Sequence, residues 1–446
     1  MESFNLLPTF GNILYTVAAY VVALSIIVTV HEYGHYIVGR LCRIQAEVFS
    51  LGFGRPLWSR TDRRGTRWQI AAVPLGGYVK FLGDAGAASA RPDDATMSHL
   101  SDRERRRTMH GAPLWARAAT VVAGPAFNFI FSILIFATLF LWQGVAVKEP
   151  TVAELYPLPG QEIGLKPGDR ILAVGGTATP DYDALATAGE DLPSADRFDY
   201  LVRRGEAELT VSGPPVTPAR AGAVIFPSAA HDAGLKKGDV VLSVDGVPMR
   251  DFIELQRAVR AANGAAVTLV VWRQGAERRV TMTPRVTEMP KRDGGFDRQV
   301  LIGLNADFFF APATERAGPA RAFGAAADQT WFVIRSSMSG LWHMVTGAIS
   351  TCNLSGPIRI AETSGVAAKL GLLDFIAFIA ALSTAVGLIN LFPIPMLDGG
   401  HLLFYVWEWA RGKPPPERFV NAALTAGLVI VAALLAFGLT NDIFCP

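Results

Sequence analysis

The sequence predicts a polytopic α-helical membrane protein with four transmembrane helices, two inserted β-rich domains and a membrane-associated β-hairpin. Three observations carry that expectation. Half of the 446 residues are hydrophobic and only 18% are charged, and the mean hydropathy of +0.30 is high for a soluble chain yet low for one embedded from end to end. Four long stretches contain no Asp, Glu, Lys, Arg or His. Between the second and third of them lies a region rich in Gly and Pro that contains a near repeat. The length itself points to two to four folding units.

The uncharged stretches are residues 6–30, 118–147, 375–397 and 419–440. A helix needs roughly 20 apolar residues to cross the hydrocarbon, so each is long enough. The first reads as a retained helix rather than a cleaved signal peptide: no Lys or Arg precedes Arg40, and charged residues follow the apolar run directly. Thirteen basic residues against seven acidic ones lie between Arg40 and Pro113, and Arg411, Lys413 and Arg418 lie in the link before the last stretch. By the positive-inside rule these links are cytoplasmic and both termini face outward. Residues 334–349 repeat apolar side chains at helical spacing with polar ones between, which suits an amphipathic helix at the membrane surface better than a fifth span.

In the region from Lys148 to about Phe310, residues 163–174 (IGLKPGDRILAV) parallel residues 233–244 (AGLKKGDVVLSV), seventy positions apart. Each copy reads as a Gly-Asp turn leading into an alternating strand. The strings resemble tandem PDZ domains of the circularly permuted bacterial type. The first copy departs from that pattern at Gly175-Gly176. Such folds bind peptides by adding a strand to a sheet edge; steric spacing without a ligand is the other reading.

Forty-one basic and 39 acidic residues exclude a strongly basic nucleic-acid binder. Cys42, Cys352 and Cys445 show no CxxC spacing and are expected to supply neither a disulfide framework nor a thiolate cage. A metal, if present, needs nitrogen and oxygen ligands.

His31-Glu32-Tyr33-Gly34-His35 offers them. Residues four apart on a helix share a side, so both imidazoles can reach one metal while Glu32 stands beside them as a base. Ionisable groups continuing an apolar helix are costly and default to function, against the alternative of ordinary polar residues at a helix end. Two histidines leave a zinc site short of a ligand. Asp398, ending the third apolar stretch, reaches the same face at similar depth; capping a helix is its alternative role, and His401 is an alternative ligand. Pro393 and Pro395 cannot both fit a regular helix, so the backbone must unwind before Asp398.

HExxH in the first transmembrane helix, LDG in the third and PDZ domains between the second and third resemble the site-2 protease family of intramembrane zinc metalloproteases, in its bacterial form with tandem PDZ domains. The resemblance covers nearly the whole chain. It implies Zn2+ held by His31, His35 and Asp398, Glu32 as general base, and Asn390 holding the substrate backbone. Val73-Pro74-Leu75-Gly76-Gly77-Tyr78-Val79-Lys80-Phe81 resembles the family's membrane-dipping hairpin, with Gly76, Gly77 and Tyr78 offering an edge to an extended substrate. Pro393 and Pro395 give that substrate room. Gly124-Pro125-Ala126-Phe127-Asn128 and Ser355-Gly356-Pro357-Ile358 match two further family strings, although Arg359 replaces the small residue expected next.

The expected organisation is residues 1–147 with the first two helices and the hairpin, PDZ-like domains at 148–215 and 216–310, an amphipathic segment at 311–372, and residues 373–446 with the last two helices. The resemblance implies an inner-membrane endopeptidase with its PDZ domains in the periplasm and its active site near the cytoplasmic face. It would cut single-span transmembrane substrates, typically anti-sigma factors after trimming outside, and remnant signal peptides. Membrane lipid and peptide ligands of the PDZ domains are further partners, and nucleic acid is not. The rival is a non-catalytic PDZ-containing membrane adaptor with a structural metal; Glu32 discriminates, because a structural site has no use for a base.

Overall fold

The structure, a computed structural model, describes residues 6–86, 93–290 and 296–445. It falls into two compact units, one comprising Met1–Phe140 with Pro319–Pro446 and the other Leu141–Gly318.

The first unit opens with helix α1 (Leu6–Leu41), which runs without a break from the apolar stretch through His31 and His35. Two long antiparallel strands follow, β1 (Ala46–Thr61) and β2 (Arg67–Phe81). They curl so that residues 46–51 of β1 lie between two parts of β2, pairing with Arg67 to Ile70 on one side and with Gly77 to Phe81 on the other. The hairpin expected at Gly76-Gly77 is therefore placed differently: the turn is at residues 62–66, where Asp62 and Thr66 close it, and Gly76-Gly77 lie inside β2. Gly76, at φ +150°, bends the strand there under the ring of Phe53. Rings of Tyr36, Phe49 and Trp68 pack the sheet onto α1. Helix α2 (Leu114–Gln143) then crosses α1, contains Pro125 and buries a polar stripe with Thr120, Asn128 and Ser132.

The second unit holds two lobes of the same design. Strand β3 (Val152–Leu155) is followed by β4 (Arg170–Val174), β5 (Thr177–Ala178), α3 (Tyr182–Asp191), β6 (Phe198–Arg204) and β7 (Ala207–Gly213), with the sheet ordered β5-β4-β6-β7. The second lobe repeats this as β8 (Val240–Val244), β9 (Val247–Pro248), α4 (Phe252–Ala261), β10 (Val267–Arg273) and β11 (Ala276–Met282), ordered β9-β8-β10-β11. Asp181 and Asp251 cap the two helices alike. The repeated Gly-Asp has one physical job in both copies. Asp169 receives both arms of Arg204 at 2.7 Å, and Asp239 both arms of Arg273 at 2.6 Å.

The lobes are nested rather than strictly sequential. The second closes its core with Ile302. The first closes its own with Phe309 and Phe310, and strand β12 (Phe310–Pro312) pairs with β3.

The chain re-enters the first unit with α5 (Pro319–Val345), α6 (Pro357–Leu370), α7 (Leu372–Asn390), α8 (Asp398–Arg411) and α9 (Glu417–Phe444). Among the described residues, α2, α7, α9 and residues Asn12–Leu41 of α1 are the helices long and apolar enough to cross a membrane. Helix α7 stops at Asn390, short of the 23-residue apolar stretch, because residues 391–397 form a chain of tight turns around Pro393 and Pro395.

The cysteine expectation is corrected: Cys352 and Cys445 form a disulfide, with Cα atoms 5.5 Å apart across 93 positions. It belongs to a joint that also explains Arg359. Asp442 of α9 accepts from the backbone N–H groups of Gly356, Ile358 and Arg359 at the start of α6, satisfying donors that a helix leaves free. The Arg359 guanidinium donates to the Cys445 carbonyl at 2.9 Å.

Candidate metal centre

Three side chains converge where α1, α2 and α8 meet. His31 Nε2 lies 3.2 Å from His35 Nε2 and 3.1 Å from Asp398 Oδ2, and His35 Nε2 lies 3.5 Å from the same oxygen. These side chains are only 11, 12 and 16% exposed. Two ring nitrogens this close, both facing one carboxylate oxygen, suit a shared ion. The edges of a tetrahedron with metal–ligand bonds near 2.0–2.1 Å are about 3.3 Å long, which these separations match. Asp398 Oδ2 is buried with no hydrogen-bond donor aimed at it, and each imidazole uses its other nitrogen elsewhere. The donor set and its orphaned oxygen therefore fit a metal ion. Among the described residues, these three form the one such cluster of metal-ligating groups.

Helix α2 shapes the centre from behind. The Thr120 carbonyl faces His35 Nδ1 at 2.9 Å, and the Asn128 side chain faces His31 Nδ1 at 3.1 Å. Between them, Gly124 is the floor of the cradle: a Cβ there would overlap both imidazoles. Gly34 allows α1 to touch the α2 backbone at Ala123 in the same way. The Asn128 carbonyl accepts from Ser132 and from Ser383 of α7, which fixes its position.

Asp398 arrives from the other side as the first residue of α8. Gly399 and Gly400 lie so tightly against the backbone of Leu391, Phe392 and Ile394 that no side chain would fit. His401, one turn further along, lines the cavity but stands outside the cluster. Burial pushes its imidazole below the ordinary value.

A cavity of about 390 Å³ opens over these groups. Its wall includes His31, Glu32, His35, Asn390, Asp398, Gly77 and Tyr78. A Cβ on Gly77 would lie 3.2 Å from Glu32 Cγ, so β2 passes directly over that carboxylate. Among the described residues no strand pairs with the outer side of Gly77 to Phe81. Asn390 turns its amide back to the Val386 carbonyl at 3.1 Å. Gly76, Pro393 and Pro395 lie outside the cavity wall; Pro395 instead backs Gly400 and Gly427. Sequence reasoning had no role for Thr120 or Asn128. A buried amide within an apolar helix was the available signal, since such groups need a partner.

The profile of peptidase family M50 matches residues 19–434. The regulator of sigma-E protease RseP of Salmonella typhimurium is 34% identical over 460 residues, covering 97% of this chain and 99% of that protein. Its Escherichia coli counterpart is 34% identical with the same coverage. A protein of Mesorhizobium japonicum, provisionally named a zinc metalloprotease, is 36% identical over 96% of this chain and 98% of its own length. With its four apolar helices and its His-His-Asp cluster beside a glutamate, the chain belongs to peptidase family M50, the site-2 proteases, and is a membrane zinc metalloprotease.

Proposed function

We infer that this protein cleaves transmembrane segments of single-span substrates, with His31, His35 and Asp398 holding the zinc and Glu32 acting as general base. The carrying observation is the convergence of that cluster, Glu32 and the unpaired edge of β2 on one cavity. Bound zinc supplies the Lewis acidity that activates water at neutral pH and polarises the scissile carbonyl. Glu32 takes the proton of the attacking water and passes it to the leaving amine. A substrate helix hides its own amides, so it must be extended before it is cut. The edge at Gly77 and Tyr78 pairs with that extended strand, Gly76 bends the edge into place, and Asn390 holds the strand's backbone from the α7 side. The loop with Pro393 and Pro395 gives room for it.

The two lobes are read as PDZ domains on the outer side of the inner membrane, screening substrates by size or binding their peptides. Their common order of strands and helix supports this. So does the Cys352–Cys445 disulfide at the far end of α9, because disulfides persist in oxidising compartments. The basic links then face the cytoplasm, and the metal centre lies near that face. Two relatives are named regulator of sigma-E protease, and the substrate class proposed here is an anti-sigma factor type, with remnant signal peptides as a second class.

The test is Glu32→Gln, incubated in detergent with a single-span model substrate. Cleavage is expected to fall by at least about a thousandfold with zinc content unchanged, and undiminished cleavage would end the assignment of Glu32 as base.

A further inference from the structure

The loop before Asp398 raises a mechanical question. Helix α8 does not continue α7; seven residues of tight turns separate them. One ligand of the metal thus sits on the first residue of a helix, held at that end by the close packing of Gly399 and Gly400, while the other two sit inside the last turns of α1. Ligand distances must hold to roughly 0.2 Å for a metal site to form. Something must fix α8 at a second point.

The far end of the same helical face supplies it. Asp398, His401, Tyr405 and Glu408 recur at intervals of three, four and three along α8, on one side of the helix. Glu408 receives both arms of Arg117 from α2, at 3.0 and 2.5 Å. The pair is largely enclosed, with Arg117 13% and Glu408 18% exposed, and the guanidinium sits 5.2 Å from the Tyr405 ring centre. Tyr405 itself lines the cavity. A planar fork on a carboxylate fixes direction as well as distance, which a lysine would not.

Arg117 also stands on the face of α2 that serves the two histidines. Arg117, Thr120, Gly124 and Asn128 are spaced by three, four and four. In that order they hold Glu408, accept from His35, make room for both imidazoles and meet His31. One stripe of one helix therefore sets the register of all three ligands. Glu408 lies ten residues from Asp398, about 15 Å along the helix. Over such a lever, a tilt of roughly one degree already moves the carboxylate by the tolerance of the site.

We propose that Arg117 and Glu408 form a positioning pair that holds Asp398 in ligand geometry, with α2 as the common template for the metal centre. The inference rests on Asp398 being a ligand. Neither residue lines the cavity or belongs to the ligand cluster.

The experiment compares Arg117→Gln, Glu408→Gln, the double variant and Asp398→Ala as full-length chains in detergent. Zinc affinity is read by competition with a chelator on the fraction that elutes and melts like the wild type. Arg117→Lys, which keeps the charge and loses the fork, serves where a neutral variant folds poorly. Each single change is expected to weaken zinc binding about tenfold or more, as loss of outer partners does. The double variant should lose no more than either single one, because the pair acts as a unit. The kcat at subsaturating zinc should fall with KM unchanged. Wild-type zinc affinity in either single variant, or two losses that add in full, would overturn the pair's role. Retention of zinc by Asp398→Ala would instead overturn the ligand assignment on which it rests.

Discussion

The Asn128 amide lies 3.1 Å from Nδ1 of His31, and its Oδ1 is buried without a partner. A metal on His31 Nε2 leaves the ring proton on Nδ1, and that proton needs an acceptor. Exchanging the two ends of the amide supplies Oδ1 without moving any other group. Asn128→Ala should therefore weaken zinc binding about 10- to 100-fold, whereas Asn128→Asp, which keeps an acceptor, should retain the metal. Chelator competition separates the two; equal affinities for Asn128→Ala and wild type would show that His31 needs no such partner.

In the first lobe, burial alone would raise the Asp169 carboxyl, but Arg204 and the Lys166 N–H outweigh it and hold the group below the ordinary range. A carboxyl that titrates lower in the folded state stabilises fully above about pH 4 and loses that contribution as the pH falls through its folded value. Asp169→Asn should cost about 2–3 kcal/mol at pH 7, a figure reduced because the 31% exposure of Arg204 screens the pair. The gap to wild type should close below pH 4. Thermal unfolding of both chains from pH 7 to 3 measures it, and a gap independent of pH would remove the ion pair as its cause.

The orientation proposed for the chain predicts how its cysteines react. An impermeant thiol reagent applied to spheroplasts should label neither Cys352 nor Cys445 until a reductant is added, then both. Cys42, next to the basic link, should stay protected until the membrane is opened. Labelling of Cys42 from outside would reverse the topology.

The candidate site was legible where chemistry conflicts with surroundings. His31, Glu32, His35 and Asp398 stand out because charge interrupts apolar sequence. The seventy-residue repeat was legible because Gly-Asp turns have strict backbone needs. Arg117 and Glu408 were silent, since a lone Arg beside an apolar stretch looks like any interfacial anchor and a lone Glu in a short link like any solvated charge. The Cys352–Cys445 bond was silent because pairing over 93 positions depends on how α9 returns beside α6. The position of the β1–β2 turn was hidden by Gly76-Gly77, whose glycines serve a bend and a close approach to Glu32 rather than a reversal.

The nesting of the lobes has a consequence for how the molecule is made. Residues 152–216 leave the ribosome first, yet Phe309 and Phe310, which seal their core, follow the whole of the second lobe. The inserted lobe is complete slightly earlier, once Leu304 packs on its core and pairs with Val224. The outer lobe waits with Glu154 and Leu155 of β3 unpaired until β12 arrives, exposed meanwhile to the hazards of an open strand edge. Maturation thus runs from the inside outward, and the enclosing lobe is sealed only just before the chain turns back, at Pro319, toward the helices that carry Asp398.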